Sequence, residues 1–113
     1  MTNTMPQDIQ ESDWTAFRVV HAELRETFCE QVLDECRSVA SPSEASAHSR
    51  YTQLFRLLND KDREMARGFD DIRRSTALAR LRELRRMGRL TDEHLTRCSA
   101  ETREFVRALK DLR

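Results

Sequence analysis

The chain has 113 residues, of which 38% are hydrophobic, 6% aromatic and 35% charged, and its formal net charge is zero. A chain of this length forms at most one domain with a thin core, and its two glycines and two prolines favour long helices over sheets. No apolar run approaches the roughly 20 residues that span a bilayer, and the polar start lacks the apolar centre of a signal peptide. We therefore expect an all-α protein with no membrane span.

The first predicted helix covers residues 12–40 and follows a flexible tail at residues 1–11. Apolar side chains recur in it at spacings of three and four, which places them on one face of a helix. The members of this stripe are Trp14, Phe17, His21, Leu24, Phe28, Val32, Cys36 and Val39. Because His21 lies within the stripe, we interpret it as a core or interface histidine.

The second predicted helix follows a tight turn at the sequence SPSE, residues 41–44, and runs to about Arg67. Ser41 is predicted to cap this helix, with Pro42 in its first turn and Glu44 completing a capping box. The apolar face consists of Tyr51, Leu54, Leu58 and Met65, flanked by Phe55 and Leu57. Residues 12–67 are therefore predicted to form a long helical hairpin.

The stretch ARGFDDIRRSTALARL, residues 66–81, follows this hairpin. Gly68 is predicted to break the helix, and Asp70 or Asp71 is predicted to cap the next one by accepting free backbone N–H groups. Adjacent residues point about 100° apart on a helix, so the two carboxylates do not converge on one substrate. We interpret the aspartate pair as a joint between helices and not as a catalytic dyad.

Two further helices, at about 72–87 and from residue 91 onward, are predicted to form a two-helix head, residues 68–113. The first carries Leu78, Leu81, Leu84 and Met87 and ends at Gly88. Thr91 is a natural N-cap for the second, and Leu90 can contact Leu95 as a hydrophobic staple. The stripe of the second helix is Leu95, Cys98, Thr102, Phe105, Leu109 and Leu112.

The lengths of these helices predict an elongated molecule. At 1.5 Å per residue the first helix is roughly 43 Å long, whereas a compact domain of this size has a diameter of roughly 34 Å. The hairpin must therefore protrude, and a second copy of the chain is the simplest cover for its apolar stripe. We predict a homodimer built on residues 12–67, with Phe17, His21, Leu24 and Phe28 at the interface.

No pattern in the sequence indicates an enzyme, a metal site or a cofactor. The histidines are His21, His48 and His94, and the cysteines are Cys29, Cys36 and Cys98. None of them forms the close pairs that are typical of metal ligands. An odd number of separated cysteines also argues against a disulfide framework and for a reducing, cytoplasmic setting.

Arginines are concentrated in the head, at positions 73, 74, 80, 82, 85, 86 and 89. Arginine neutralises phosphate, and two helices joined by a turn can form a DNA-reading unit, so a helix-turn-helix nucleic-acid binder is one hypothesis. The arginines are scattered around the predicted helix, however. We therefore favour a solvated helix face that steers a charged partner over nucleic-acid binding.

Two segments of the chain carry a resemblance to a known family: VHAELRETF at residues 20–28 and LFRLLNDKDREMARGFDDIRRSTALARLRELRRMGRLTDEHLTRCSAETREFVRAL at residues 54–109. Through them the chain resembles the fluorescence recovery protein family of cyanobacteria. It implies an all-helical homodimer that binds the C-terminal domain of the photoactivated orange carotenoid protein. It further implies that binding speeds the return of that protein to its resting orange form.

The resemblance also places the dimer-interface positions of the family on the second helix. When the sequences are aligned on Leu54, Leu58, Lys61 and the segment 69–71, a Trp of the family falls on Thr52 and a His on Phe55. An Asp falls on Arg56 and an Arg on Asp62, so the acid and the base exchange places and a pairing between protomers is preserved. The implied interface on this helix is Tyr51, Thr52, Phe55, Arg56 and Asp62.

In the head, the resemblance implies a surface for the protein partner. A partner-contacting Phe of the family falls near Leu78 or Ala79, and a partner-contacting Lys falls on Phe105. The implied partner surface is Leu78, Ala79, Arg82 and Phe105.

A second resemblance covers only the head. The segment LARLRELRRMGRLTDEHL, residues 78–95, is similar to the short C-terminal helical hairpin called SHOCT. That module is associated with oligomerisation in many unrelated proteins. The alternative function is therefore a general protein-interaction or oligomerisation module.

Overall fold

A computed structural model describes residues 9–108, which form five α-helices and one 3₁₀ turn and contain no strand. The elements are α1 at Glu11–Ala40, α2 at Ala47–Phe69, the 3₁₀ turn at Arg74–Thr76, α3 at Ala77–Arg86, α4 at Asp92–Leu95 and α5 at Ala100–Arg107. None of these helices is both long and apolar enough to cross a bilayer. The predicted all-α class is confirmed, including its two long helices.

Helix α1 agrees with the prediction to within one residue at its start. Glu11 and Asp13 lie in its first turn, where negative charge interacts favourably with the helix dipole. The helix ends at Ala40, and the hydroxyl of its C-cap residue, Ser41, donates to the carbonyl oxygen of Arg37 at 2.7 Å. Ile9, which the sequence places in the flexible tail, is buried in the core, while residues 1–8 lie outside the described range.

The connection between the two long helices is longer than predicted. Helix α2 begins at Ala47 and is capped by Ser46, whose hydroxyl accepts a hydrogen bond from the backbone N–H of Ser49 at 3.0 Å. The predicted cap at Ser41 is wrong, because the Ser41 hydroxyl bonds back to α1 instead. Residues 41–46 form the connection, and Pro42 lies outside the helix.

Gly68 does not break the helix, which continues to Phe69. A Cβ atom at Gly68 would lie only 2.9 Å from Cδ2 of Leu84 and 3.3 Å from Sδ of Met87. The glycine therefore serves close packing between α2 and α3. Phe69, the last residue of α2, is buried against α1, with its ring centroid 5.4 Å from that of Phe28.

The aspartate pair forms a joint, but by another geometry than capping of the third helix. Asp70 is the C-cap of α2, and Asp71 adopts a left-handed conformation with φ of 57°. Asp71 accepts hydrogen bonds from Nε and Nη2 of Arg73 at 2.8 and 3.0 Å, and its carbonyl accepts from the hydroxyl of Thr76 at 2.6 Å. The predicted aspartate cap is therefore wrong, and the joint is a tight turn that leads into the 3₁₀ turn.

The end of α3 and the start of α4 agree with the prediction. Gly88 has φ of 78°, and the next N–H groups return to the carbonyl of Leu84 at 2.9 and 3.2 Å, which is a glycine C-cap. Thr91 caps α4 by accepting from the N–H of His94 at 3.3 Å, and Nδ1 of His94 accepts from the N–H of Thr91 at 3.0 Å.

The predicted single fourth helix is wrong, because it is divided into α4 and α5. Ser99 caps α5 by accepting a hydrogen bond from the N–H of Thr102 at 3.3 Å. The described part of the head therefore contains three short α-helices and a 3₁₀ turn instead of two helices. Of its predicted stripe, Leu95, Cys98 and Thr102 are buried, whereas Val106 takes the fully buried place expected for Phe105; Leu109 and Leu112 lie outside the described residues.

The molecule is elongated, as predicted from the helix lengths. It measures 61 × 26 × 22 Å and has a radius of gyration of 17.4 Å, whereas a compact chain of about 100 residues has about 13 Å. The core lies at one end, where the head packs on the start of α1 and the end of α2. Its fully buried large side chains are Phe17, Phe28, Leu81, Leu84, Leu95, Val106 and Asp13.

Candidate interaction surfaces

The outer part of the hairpin, residues 33–67, has no buried side chain, and the structure describes all of it. The half-buried residues of its two helices are Cys36, Val39, Ser49, Arg50, Thr52, Leu54, Leu57, Lys61, Glu64 and Met65. We call residues 33–67 the hairpin arm. Two helices that cover each other only partly gain little from burial, so the arm has a weak core of its own.

Four large apolar side chains are exposed on this arm. Tyr51, Phe55 and Leu58 follow one another at spacings of four and three on α2 and are 68%, 59% and 47% exposed, and Leu33 on α1 is 54% exposed. Leu33 and Leu58 line the same groove between the two helices, which has a volume of about 330 Å³. We call these four residues the exposed stripe. Exposed apolar side chains grouped in this way are a candidate interaction surface.

The residues of α1 that were predicted to form the dimer interface lie in the core of one chain. Phe17, His21, Leu24 and Phe28 are all less than 7% exposed, and contacts within one chain account for their burial. A second copy would therefore meet other side chains of α1, of which Leu33 is the most apolar exposed one near α2. Sequence periodicity missed Leu33 because it stands outside the main stripe of its helix.

The interface residues predicted on α2 are accessible. Tyr51 and Phe55 belong to the exposed stripe, and Arg56 and Asp62 are exposed without an ion pair to any described residue. Thr52 is half-buried and donates its hydroxyl to the carbonyl of His48 at 3.0 Å. Asp62 also lines the groove beside Leu58.

A buried carboxylate joins the head to the hairpin. Asp13 on α1 is 2% exposed, and its Oδ1 accepts from the N–H of Ser99 at 2.7 Å, while its Oδ2 accepts from the hydroxyls of Ser99 at 2.6 Å and Thr102 at 2.7 Å. Burial raises the pKa of Asp13, but these hydrogen bonds and the charge of Arg103 outweigh it and hold the pKa below its ordinary value. One feature of the sequence indicates that Asp13 is buried: it stands four residues before Phe17, on the apolar face of α1.

His21 lies in the same core as an unpaired polar group. Its ring packs between those of Phe17 and Phe69, with centroid distances of 5.4 and 5.2 Å, and its Nε2 is buried without a hydrogen-bond partner among the described residues. Burial, and then the charge of Arg25, lower the pKa of His21, and the backbone of Phe69 opposes this shift only in part, so the unpaired atom is Nε2 and not the whole ring. The structure places His21 as a neutral core histidine.

The head presents part of its predicted partner surface to solvent. Ala79 is exposed, Arg82 and Phe105 are half-buried, and Leu78 is buried. The guanidinium carbon of Arg82 lies 5.4 Å from the centroid of the Phe105 ring, a cation–π contact. Arg82 and Phe105 lie on different helices, so the fold brings them together, while Leu78 belongs to the core beneath them.

Most arginines of the head are already paired. Six of the seven positions form ion pairs: Arg73 and Arg80 with Asp71, Arg74 with Glu11, Arg85 with Asp92, Arg86 with Glu83 and Arg89 with Glu64. The pairing leaves no continuous track of free positive charge along α3, and such a track is what a DNA backbone needs. This geometry weakens the nucleic-acid hypothesis.

Within residues 9–108, no group of three or more His, Cys, Asp or Glu side chains is arranged to hold a metal ion, and the three cysteines are free thiols.

Comparison with known proteins adds no identification, since no protein-family model, curated protein or solved structure matches the chain. The surfaces described above are therefore the basis for a functional proposal.

Proposed function

We propose that this chain is a non-enzymatic helical homodimer whose hairpin arm mediates self-association and whose head binds a protein partner. The observation that carries the proposal is the hairpin arm, which spans 35 residues without one buried side chain while exposing Tyr51, Phe55, Leu58 and Leu33. A second copy laid along the arm would cover these apolar side chains and supply the missing core. Burial of one such side chain contributes about 1.5 to 3 kcal/mol.

The charges on α2 support a two-fold arrangement of the two copies. Around a two-fold axis each copy contributes the same surface, so Arg56 of one copy can face Asp62 of the other. Both side chains are exposed and lack ion pairs with described residues of their own chain. In two arms packed antiparallel, Asp62 lies on the same side of α2 as the exposed stripe, about 20° around the helix from Tyr51, whereas Arg56 lies about 140° from Tyr51 and its long side chain must reach across to the second copy.

For the partner of the head, we propose the C-terminal domain of an orange carotenoid protein or a related domain, which the dimer returns to its resting state. The proposal rests on the resemblance of residues 20–28 and 54–109 to the fluorescence recovery protein family. Accessible Ala79, Arg82 and Phe105 support it as a surface that a partner can reach. We propose cytoplasmic action because the three thiols suit a reducing compartment.

Light scattering at micromolar concentration tests the self-association. The expected mass is about twice the 13.3 kDa of one chain. Phe55→Glu should reduce the mass to that of one chain, because it places a charge in the apolar contact. Gln53→Glu is the matched control, since Gln53 is also exposed on α2 but about 200° around the helix from Tyr51. A wild-type monomer would contradict the dimer.

Mixing with a photoactivated orange carotenoid protein tests the partner. The unmodified chain should accelerate the dark return of its absorbance, and Ala79→Glu should abolish the acceleration while the dimer persists. Ala100→Glu, which changes another exposed alanine of the head, should accelerate as well as the unmodified chain. A dimer that gives no acceleration would leave the oligomerisation module, with a different partner, as the function.

A further inference from the structure

A concave patch rich in arginine lies where the end of α2 meets α3. It has a volume of about 450 Å³ and is lined by Arg67, Ala79, Arg80, Arg82, Glu83 and Arg86. We call it the arginine cavity. Its lining has four positive groups against one negative group, although the whole chain has no net charge.

The positive groups of this cavity are incompletely neutralised within the chain. Arg86 pairs with Glu83 at 3.7 Å, and Arg80 is 4.0 Å from Asp71. The side chains of Arg67 and Arg82 form no hydrogen bond or ion pair with residues 9–108. Their guanidinium groups are therefore available to an external acceptor.

Arg80 is held in place but carries an unpaired donor. Its Nη1 donates to the carbonyl oxygen of Arg67 at 2.7 Å, which fixes the guanidinium against the end of α2. Its Nε is buried and has no acceptor among the described residues. A buried N–H without an acceptor is unfavourable, but this atom is closed to solvent, so a ligand would meet the exposed edge of the Arg80 guanidinium, whose side chain is 21% exposed.

We propose that the arginine cavity binds a short acidic segment of the protein partner, through carboxylates that meet Arg67, Arg82 and Arg80. Guanidinium groups bind carboxylates in a bidentate geometry, and the concave shape suits a few side chains of a peptide. Ala79 adds an apolar side chain to the lining, and the ring of Phe105, outside the lining, supports the Arg82 guanidinium. The inference rests on the proposed function and adds the chemistry of the docking segment.

Carboxylates on the cavity and beside it disfavour a nucleic acid as the ligand. Glu83 lines the cavity, and Glu64 lines the adjoining concavity together with Arg67 and Arg86. Glu83 is paired with Arg86, but a phosphate backbone that continued beyond the cavity would also approach Glu64, whereas a short acidic segment can end before it reaches Glu64. The observations thus favour a protein segment over a DNA or RNA strand.

Fluorescence anisotropy with a labelled hexaglutamate peptide tests the site. Saturable binding is expected at about 10 mM salt, where the Debye length is about 30 Å, with marked weakening at about 150 mM, where it is about 8 Å. The double variant Arg67→Gln with Arg82→Gln should bind the peptide about tenfold more weakly. Circular dichroism should show unchanged helix content, since the buried faces of both helices are untouched.

The matched control is the double variant Arg63→Gln with Arg107→Gln. It removes the same charge from α2 and from the head, but Arg63 and Arg107 pair with Asp60 and Asp92 outside the cavity. Its affinity should stay within about twofold of the unmodified chain. Absent binding at low salt, an equal loss in both double variants, or tighter binding of a labelled duplex DNA than of the peptide would each overturn the inference.

The dark-return assay separates this inference from the proposed function. If the unmodified chain accelerates the return and the Arg67 and Arg82 double variant does so equally, the function stands and the acidic docking segment is wrong. If the chain gives no acceleration but the peptide binds selectively through Arg67 and Arg82, the carotenoid partner is wrong and the site for an acidic segment stands.

Discussion

Thr102 on α5 donates its hydroxyl to the carboxylate of Asp13 on α1, with 2.7 Å between Oγ1 and Oδ2 across 89 positions of the chain. The same carboxylate accepts two hydrogen bonds from Ser99. Asp13 thereby supplies acceptors for the first residues of α5 from a different helix. This buried side chain therefore links the start of α5 to the start of α1, beside the apolar core that the head and the hairpin share.

Asp13→Ala should lower the free energy of unfolding by about 2 to 4 kcal/mol. The substitution leaves the donors of Ser99 and Thr102 buried without an acceptor, and hydrogen bonds to charged groups are among the more stabilising ones. Urea denaturation followed by circular dichroism measures the loss. Asp34→Ala is the control, because Asp34 pairs with Arg37 at the exposed surface and should change stability by less than about 0.5 kcal/mol. Equal effects of the two substitutions would contradict a stabilising role for Asp13.

His21 should make the protein less stable as the pH falls below about 6.5. Burial and Arg25 lower the pKa of His21 in the folded state, so the unfolded chain, with a histidine pKa of about 6.5, binds a proton first. The stability contributed by neutral His21 is therefore complete above that pH and declines as the pH falls towards the folded pKa.

His21→Phe should remove this dependence, which urea denaturation between about pH 7.5 and pH 5 measures. The variant keeps an aromatic ring between Phe17 and Phe69 and eliminates the unpaired Nε2. His48→Gln is the control, because His48 is exposed on α2 and its loss should leave the pH dependence of stability intact. An unchanged dependence in His21→Phe would assign the effect to other groups.

Gly68→Val should destabilise the protein by about 1 to 3 kcal/mol through overpacking. The added atoms would enter the space of Leu84, which is fully buried and cannot move into solvent. Gly88→Asn should cost less than about 0.5 kcal/mol, because a Cβ atom at Gly88 would have no neighbour within 4 Å and Asn tolerates the left-handed conformation. Thermal denaturation of both variants is the measurement. A Gly68→Val protein as stable as Gly88→Asn would show that α2 and α3 are not closely packed there.

Charge reversal on α2 should reveal a pairing across the dimer. Arg56→Asp alone should weaken association, and Arg56→Asp combined with Asp62→Arg should restore it, with a coupling of about 0.2 to 1 kcal/mol for an exposed pair. Sedimentation equilibrium of the four proteins of the cycle measures the coupling. The control cycle reverses Arg63 and Asp60, which pair within one helix at 3.0 Å and should show no coupling in the association constant. Additive effects at Arg56 and Asp62 would contradict the antiparallel arrangement of the arms.

Local chemistry made several features of the fold predictable. The apolar spacing of α1, the N-cap at Thr91 and the left-handed Gly88 depend on residues within one or two turns of each other. Such short-range preferences can be predicted from a single sequence because the interacting atoms belong to residues that are close in the chain. The elongated shape followed from helix length alone.

Competition between similar residues and contacts between distant ones explain the errors. Ser41, Ser43 and Ser46 are all possible caps in one connection, and the sequence does not say which hydroxyl faces a free N–H. Gly68 has the sequence signature of a helix breaker, because its close contact, Leu84, lies on another helix and leaves no local signal. The break between α4 and α5 depends likewise on Asp13, which is 86 positions from Ser99.

For the candidate surfaces too, features set by distant contacts could not be predicted from local spacing. Spacing grouped Tyr51 and Leu58 with the half-buried Leu54 and Met65, so it did not separate the exposed stripe from the side of α2 that faces α1. The burial of Phe17, Leu24 and Phe28 within one chain depends on Phe69 and the head, which pack against them. The arginine cavity combines residues from α2 and α3 and could not be recognised before both helices were placed.

The scarcity of buried side chains in residues 33–67 also bears on how motion is distributed along the hairpin. In an isolated chain, the helical hydrogen bonds of this arm can open while the core at the other end stays intact, because few packed contacts oppose their breaking. Backbone amides near the connection between α1 and α2 would then exchange with solvent deuterium far sooner than those beside Phe17 or Leu81. A second copy that covers the arm opposes this opening. The exchange of the same amides should therefore slow as the protein concentration rises, and its rate reports association at the arm.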